Sequence, residues 1–370
     1  MKLTKSPVFI TYSFPSKIAD HEKGANPDLV DTWHAFSRKE QQEARDALKQ
    51  WGDASGITFL ETKGGKGDIQ FSWMYTGGDN SGLGYQPSAY TPYPEKPQYY
   101  TYFDDVGGDI YLNSLLETYF NENKNFKAYV LLHEIGHALG FKHTFDSSKP
   151  MNPAVLTEAY DNTSYSVMSY TYTEPPTKLG PFDIQAARAL YGSPKMDGKQ
   201  TAAWSWNAKK EILTQVGKAG ADILRGTSVK DVIKGAAGND VIQGFIGNDT
   251  LSGGDGEDVM IGGPGRDVFI FDTAPALSGD GDTIYDFVAK DDAINLSSKI
   301  FLTLGPKGKL AGDSFVIASK AQDESDRIIF DGGYTGSLFY DPDGTGSIQQ
   351  IKIASLSYEA KLKAGHFLIT

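Results

Sequence analysis

Three of the six histidines in the chain lie within the segment HEIGHALGFKH, residues 133–143. His133 and His137 are four residues apart, so on a helix they project from one face, with Glu134 beside them. Gly140 allows the chain to turn and to bring His143 back as a third ligand. Three neutral imidazoles with one open position form the ligand set of a catalytic zinc. The pattern favours one zinc ion over the alternative of helix-face histidines followed by a C-cap glycine.

The segments that must position these residues alternate between strands and helices. Ser37 and Glu40 have the spacing of a capping box, and Ala44, Leu48 and Trp51 would share one face of the helix that follows. Hydrophobic periodicity predicts strands at 8–14, 57–60, 68–73 and 108–113, and helices at 37–51, 126–140 and 181–191.

After residue 216 the sequence repeats with a period of nine, as six units that begin at Gly217. A repeat this regular predicts a solenoid, in which each unit buries its apolar residue only by stacking on its neighbours. Carboxylates and the carbonyls that glycine exposes are suitable calcium ligands, so the repeats are expected to bind calcium. The alternative to a calcium-binding solenoid is a surface loop rich in Gly and Asp. Val229 replaces a glycine in the second unit, which weakens the early sites as candidates. The repeated aspartates are Asp222, Asp231, Asp240, Asp249, Asp258 and Asp267, and the repeated apolar residues are Leu224, Ile233, Ile242, Leu251, Met260 and Phe269.

Composition excludes several classes of protein. The net charge of -12 and the absence of a basic patch argue against binding to nucleic acid or to anionic membranes. The chain has no cysteine, which excludes disulfides and thiolate metal sites. No apolar run is long enough to span a bilayer, and the first residues lack the features of a secretory signal, so export would need a signal elsewhere.

The sequence changes character near residue 195, where the aromatic-rich mixed pattern gives way to the repeats. The last part alternates apolar and polar residues, as expected of a β-rich cap that covers the open edges of a solenoid. We therefore predict a catalytic domain at 1–195, a linker at 196–216, a calcium-binding roll at 217–271 and a cap at 272–370.

With its histidine motif, the segment SVMSY (166–170) and the nonapeptides, the chain resembles the serralysins. These are secreted metzincin zinc proteases of Gram-negative bacteria that carry RTX calcium-binding repeats. The resemblance extends over nearly the whole chain and implies an α+β fold. A twisted, mostly parallel sheet with helices would precede a parallel β-roll, with two units per coil, and a β-rich cap. One departure is Thr144, where serralysins usually have proline.

The resemblance also implies an activity and the roles of individual residues. One zinc would be held by His133, His137 and His143, and Glu134 would act as general base towards a zinc-bound water in peptide-bond hydrolysis. Tyr170 matches a tyrosine that reaches the metal and stabilises the oxyanion. Met168 matches the methionine that forms an apolar floor beneath the metal. The alternative for each of these two residues is an ordinary core position.

GDIYLN (108–113) resembles the edge strand on which such proteases bind an extended peptide through its main chain, so broad specificity is expected. The residues expected to line it are Asp109, Ile110, Tyr111, Leu112 and Asn113.

The expected partners are polypeptide substrates, a type I secretion apparatus and a proteinaceous inhibitor, with one catalytic zinc and several structural calcium ions as cofactors. The C-terminal GHFLIT resembles an uncleaved secretion signal, and no N-terminal propeptide is evident. We expect an extracellular monomer that does not insert into membranes. The alternative functions are a calcium-dependent adhesin with a vestigial zinc site and a lipase. A lipase requires a Gly-x-Ser-x-Gly turn, which the sequence lacks.

Overall fold

A computed structural model describes the greater part of the chain, which divides into two compact units, Met1–Gly198 and Lys199–Thr370. No helix in the described ranges is both long enough and apolar enough to cross a bilayer. The described residues are 7–18, 30–76, 80–84, 89–90, 102–103, 108–148, 154–172, 174–196, 201–275, 279, 281–332, 335–357 and 360–370.

The helices of the first unit begin where the sequence provides caps. The Ser37 hydroxyl accepts the Glu40 N–H while the Glu40 carboxylate accepts the Ser37 N–H, so the predicted capping box is present. Pro181 occupies the first turn of the last helix, where its missing N–H costs nothing. The α-helices described in this unit are α1 (Arg38–Ala54), α2 (Glu117–Glu122), α3 (Lys124–Ala138) and α4 (Pro181–Tyr191).

The main sheet of the first unit is mostly parallel, as predicted. Its strands follow the order β3-β1-β4-β8-β5, and β2 pairs with β4 beside this path. Strands β1, β3, β4 and β8 run parallel to one another, whereas β5 is antiparallel to β8. The strands of the main sheet are β1 (Val8–Ser13), β2 (His34–Ala35), β3 (Ile57–Glu61), β4 (Ile69–Met74), β5 (Gly82–Gly84) and β8 (Ile110–Asn113). A separate two-stranded sheet consists of β6 (Ala89–Tyr90) and β7 (Tyr102–Phe103).

The predicted edge strand at 109–113 is wrong. Strand β8 pairs with β4 on one side and with β5 on the other, and all four of its residues are buried. Asp109, just before the strand, is buried as well. Strand β5, which the sequence analysis did not identify, occupies this edge instead, because β8 comes later in the chain and inserts between β4 and β5.

A single apolar cluster fixes α3 against the sheet and α1. It contains Trp51 from α1, Phe71 and Trp73 from β4, and Leu132 from α3, all almost fully buried. The Trp51 indole N–H also donates to the Leu132 carbonyl at 3.1 Å. Because Leu132 directly precedes His133, this packing determines where the histidine motif lies.

The second unit is a parallel β-roll with two eight-stranded sheets. Strand pairs lie eighteen residues apart, as in Ile233 with Leu251 and Leu251 with Phe269, so each coil contains two nonapeptides. All six repeated apolar residues are buried in one core, which confirms the solenoid. The strands are β9 (Ala203–Asn207), β10 (Ile212–Val216), β11 (Ile223–Arg225), β12 (Asp231–Ala237), β13 (Val241–Gln243), β14 (Thr250–Asp255), β15 (Val259–Ile261), β16 (Val268–Phe271), β17 (Asp282–Ile284), β18 (Ala293–Leu296), β19 (Gly308–Lys309), β20 (Phe315–Ile317), β21 (Ile328–Asp331), β22 (Thr335–Tyr340), β23 (Ile351–Ser357) and β24 (Phe367–Ile369).

The boundaries expected from the sequence differ from these sheets at two places. The stretch 196–216, expected to be a linker, contains β9 and β10, which form an antiparallel pair, and β10 pairs in parallel with β12 of the roll. The region 272–370 is not a separate layer, because β17 and β18 continue the two sheets and share the same core.

Candidate active site

The three histidines of the motif converge on one point. His133 and His137 project from α3, and Gly140, with φ of 86°, ends the helix in the left-handed region and returns the chain. The Nε2 atom of His143 then lies 3.2 Å from that of His133 and 3.0 Å from that of His137. The remaining pair, His133 and His137, is separated by 3.1 Å.

Backbone carbonyls fix the tautomers of the two helical ligands. The Nδ1 of His133 lies 2.7 Å from the Val167 oxygen, and the Nδ1 of His137 lies 2.8 Å from the Phe141 oxygen. A carbonyl oxygen can only accept, so both Nδ1 atoms carry the proton and both Nε2 atoms present lone pairs. Burial, followed by the neighbouring His137, lowers the pKa of His133 to about 3, which keeps it neutral.

Lone pairs that face each other at 3.1 Å do not form a hydrogen bond and repel each other unless a cation lies between them. Nitrogen ligands at the usual distances around one tetrahedral zinc lie about 3.3 Å from one another. The observed separations of 3.0 to 3.2 Å therefore fit a single shared ion.

Glu134 lies beside this cluster, beneath the edge strand β5. It is almost fully buried, and this burial raises the pKa of Glu134 to about 8, against a hydrogen bond from the Gly84 backbone that lowers it. A Cβ at Gly82 would come within 2.9 Å of the Glu134 carboxylate. The two glycines therefore allow β5 to lie directly on this side chain.

Met168 of the segment SVMSY packs directly against Gly136 of the histidine motif. Met168 is buried, and a Cβ at Gly136 would overlap its sulfur, which explains why α3 has glycine here. Thr144 N–H lies 3.4 Å from the Met168 carbonyl oxygen, a contact that proline could not make. Thr144 also donates its hydroxyl to Asp161.

Tyr170, the last residue of the segment SVMSY, reaches the three histidines. Its hydroxyl oxygen lies 2.8 Å from the Nε2 of His143, and its ring lies 5.4 Å from that of His133. The side chain is largely exposed to solvent. A phenol in this position can donate a hydrogen bond to an oxygen that develops negative charge near the metal site.

The repeated aspartates form two ladders in the roll. The N–H of each of the first four aspartates donates to the Oδ1 of the aspartate eighteen residues later. The observed pairs are Asp222 to Asp240, Asp231 to Asp249, Asp240 to Asp258 and Asp249 to Asp267, at 2.7 to 2.8 Å.

The hydrogen bonding of the second carboxylate oxygen, Oδ2, differs between the first two repeated aspartates and the later four. At Asp222 and Asp231 this Oδ2 accepts backbone N–H groups of Lys218 and Thr227. Its equivalents on four later aspartates are buried and have no hydrogen-bond partner among the described residues. These are Asp240, Asp249, Asp258 and Asp267.

Buried carboxylate oxygens without donors are costly unless a cation is bound. Burial raises the pKa of Asp267 to about 7, and the nearby Asp292 and Asp286 add to this effect. Burial and the Asp231 carboxylate likewise raise the pKa of Asp249. The carboxylates of these four later aspartates are therefore suitable ligands for calcium, a hard cation that prefers oxygen ligands.

Comparisons with known proteins agree with both sites. The matrixin peptidase family matches residues 29–192, and the RTX calcium-binding nonapeptide repeat matches residues 216–244 and 235–269. Serralysin G of Dickeya chrysanthemi is 29% identical over 197 residues, which cover 50% of this chain and 39% of that protein. Serralysin of Proteus mirabilis is 28% identical over 211 residues, which cover 50% and 40%.

A matrixin peptidase domain followed by RTX repeats supports a serralysin-type metzincin. Interstitial collagenase A of Mus musculus is also similar, with 31% identity over 152 residues, 40% of this chain and 27% of the relative. The match to the two serralysins spans about two fifths of their length.

One buried carboxylate of this metzincin, which the sequence analysis did not identify, holds in place the turn SVMSY (166–170) around Met168, called the Met-turn below. Asp183 on α4 accepts the Val167 and Gly180 N–H groups, both at 2.8 Å, and the Ser166 hydroxyl at 2.6 Å. The Val167 carbonyl is in turn the acceptor for His133. The only sequence signal for this role was an aspartate in the first turn of a helix that begins with proline.

Replacing Asp183 by alanine should destabilise the first unit and weaken its metal site. Three buried donors would lose their acceptor, and we expect a loss of about 3 kcal/mol in the free energy of unfolding. Support for His133 would be lost as well, so zinc affinity should fall about tenfold or more. Urea unfolding and zinc competition measure the two effects. Ser166→Ala, which removes one of the three bonds, should show a smaller loss, and equal losses would contradict this role.

The aspartate ladders also extend beyond the six nonapeptides. The Asp258 N–H donates to Asp282 at 3.0 Å, and the Asp267 N–H donates to Asp292 at 2.9 Å. These steps span 24 and 25 residues, so a search for a period of nine does not find them.

Proposed function

We propose that this metzincin is a secreted, zinc-dependent endopeptidase of broad specificity. The observation that carries the proposal is the convergence of three imidazole Nε2 atoms next to a buried carboxylate and a phenol. The histidines are His133, His137 and His143, the carboxylate is that of Glu134, and the phenol is that of Tyr170.

A zinc ion at the three histidines would supply a Lewis acid that lowers the pKa of a bound water to about 7. The positive charge of that zinc would lower the pKa of Glu134 again. The Glu134 carboxylate would then accept the proton of the attacking water and deliver it to the amine nitrogen as the C–N bond breaks. The Gly84 N–H orients this carboxylate. Tyr170 would donate its hydrogen bond to the former carbonyl oxygen as it becomes negative.

Substrate recognition would use the edge strand β5 rather than β8. Among the described strands, β5 pairs only with β8, and its glycines lie against Glu134. An extended peptide can add to such an edge through main-chain hydrogen bonds. Since these bonds do not depend on side chains, the proposed substrates are unfolded or flexible polypeptides of varied sequence.

Calcium would stabilise the second unit, and this suggests a route of export. A chain whose roll requires calcium could pass a type I secretion apparatus unfolded and fold outside the cell. A proteinaceous inhibitor that occupies the cleft is a further proposed partner. The net charge of -12 supports the expectation that nucleic acid is not one.

A metal depletion experiment tests the proposed activity. The protein purified in calcium should contain one zinc per chain and cleave casein. o-Phenanthroline should abolish cleavage, added zinc should restore it, and a serine-directed reagent should have no effect. Cleavage that survives complete zinc removal would contradict the assignment, as would a folded, zinc-loaded chain that cleaves no polypeptide.

A further inference from the structure

Phe145 is an exposed aromatic residue in contact with the candidate metal centre. Its ring lies face to face with the imidazole of His143, with centroids 5.0 Å apart and planes inclined by 8°. It also contacts Tyr170, at 5.1 Å and 56°. Although Phe145 is 43% exposed, its ring packs on one of the three histidines rather than against the core.

The backbone places this ring by a tight turn. The Asp146 N–H donates to the His143 carbonyl at 3.2 Å, so Thr144 and Phe145 occupy the two central positions of the turn. Thr144 is attached to the Met-turn and to Asp161 by its main chain and its hydroxyl. Phe145 is therefore held over His143 by a fixed loop.

His143 differs from the other two histidines in its support. His133 and His137 are carried by α3, whose backbone is fixed by helical hydrogen bonds, whereas His143 follows the helix on a loop. A loop ligand needs contacts that restrain rotation of its ring if it is to remain aimed at the ion. A parallel aromatic stack restrains the plane of the imidazole, and the Phe145 ring forms such a stack.

We propose that Phe145 is a positioning residue that holds the His143 imidazole in the plane required for metal binding and thereby slows the release of the metal. The inference rests on the zinc site of the proposed function. It concerns retention of the ion and makes no use of Phe145 as a substrate contact.

The test measures the rate of zinc release in the folded, calcium-loaded chain with an excess of a zinc-selective chelator. Phe145→Ala should release zinc about three- to tenfold faster than the unsubstituted chain, the range that one aromatic contact supports. Phe145→Tyr, which keeps the ring, should restore the slow rate. The unfolding temperature should not change, because the side chain lies at the surface.

Tyr172 provides a matched control. It is also 43% exposed, and its ring packs on Tyr129 and Phe126. The structure records no ring contact between Tyr172 and the three histidines within its described part, so Tyr172→Ala should release zinc at the unsubstituted rate. An equal acceleration in both variants would indicate a general effect of losing a surface aromatic and would overturn the proposal.

A further experiment tests whether Phe145 acts on zinc release through His143 or through Tyr170. Phe145→Ala should accelerate zinc release by the same factor in a chain that carries Tyr170→Phe. If the acceleration disappears there, the effect passes through the tyrosine and the proposal fails. If Phe145→Ala binds one zinc and releases it at the unsubstituted rate, the role proposed for Phe145 is refuted but the proposed function is not. Absence of zinc from the unsubstituted chain would refute both.

Discussion

Replacing Glu134 by glutamine should leave zinc bound and lower the rate of casein hydrolysis about a thousandfold. General acid and base catalysis contributes roughly 10²- to 10⁴-fold. The amide has nearly the same shape as the carboxylate but accepts no proton at neutral pH. Loss of this one function should therefore appear in kcat, while the three histidines still hold the ion.

The geometry around Glu134 makes this substitution informative. The side chain is only 5% exposed and lies under β5, where the Gly84 N–H contacts its carboxylate. A larger or differently shaped residue would collide with Gly82 or Gly84 and disturb the edge strand. Glutamine avoids that collision, so a loss of rate can be attributed to chemistry rather than to repacking.

Glu40→Gln is the matched control for this experiment. Glu40 is another buried glutamate of the same unit, 6% exposed, and its capping function can be performed by glutamine. This variant should keep near-normal activity and zinc content. If Glu134→Gln turns over casein at a similar rate to Glu40→Gln, Glu134 is not the general base.

The part of the candidate site that sequence could predict is local in the chain. His133, His137 and Gly140 follow from helical spacing and from the need of a left-handed residue at the helix end, and the structure brings them together with His143. The repeat period, with the two units per coil that the resemblance implies, likewise predicted the pairing of strands eighteen residues apart. In both cases one short-range rule determines the geometry.

The parts that sequence did not predict depend on pairing between distant segments. Strand β5 consists of Gly-Leu-Gly, and glycine disfavours strands, so its sequence is that of a loop. It becomes a strand only because β8 offers it a hydrogen-bonding edge. Asp282 and Asp292 join the aspartate ladders after insertions that break the period.

Removal of calcium should unfold the second unit. Four aspartate oxygens in the ladders are buried and receive no hydrogen bond from the residues that the structure describes, and neighbouring carboxylates repel one another. A ligand at 100 times its Kd stabilises the folded state by about 2.7 kcal/mol for each site, so one site on each of the two ladders would contribute roughly 5 kcal/mol. The whole stability of a domain is about 5–15 kcal/mol. Far-UV circular dichroism and the unfolding temperature, measured in calcium and in EGTA, give the size of the effect.

Asp249→Asn tests whether the ladder carboxylates cause this dependence. The substitution keeps an oxygen at the position that accepts the Asp231 N–H but removes the charge beside Asp231 and Asp267. In calcium the variant should be less stable than the unsubstituted chain and should need a higher calcium concentration to fold. In EGTA the order should reverse, because the variant has one repelling charge fewer.

This reversal separates a calcium ligand from a residue that only packs well. A side chain with a purely structural role would lower the unfolding temperature in both buffers by the same amount. Asp313→Asn, which neutralises an exposed aspartate of the same unit, should change neither value appreciably. If the second unit unfolds at the same temperature with and without calcium, the buried carboxylates must be stabilised by protonation instead, and the proposed link between extracellular calcium and folding is wrong.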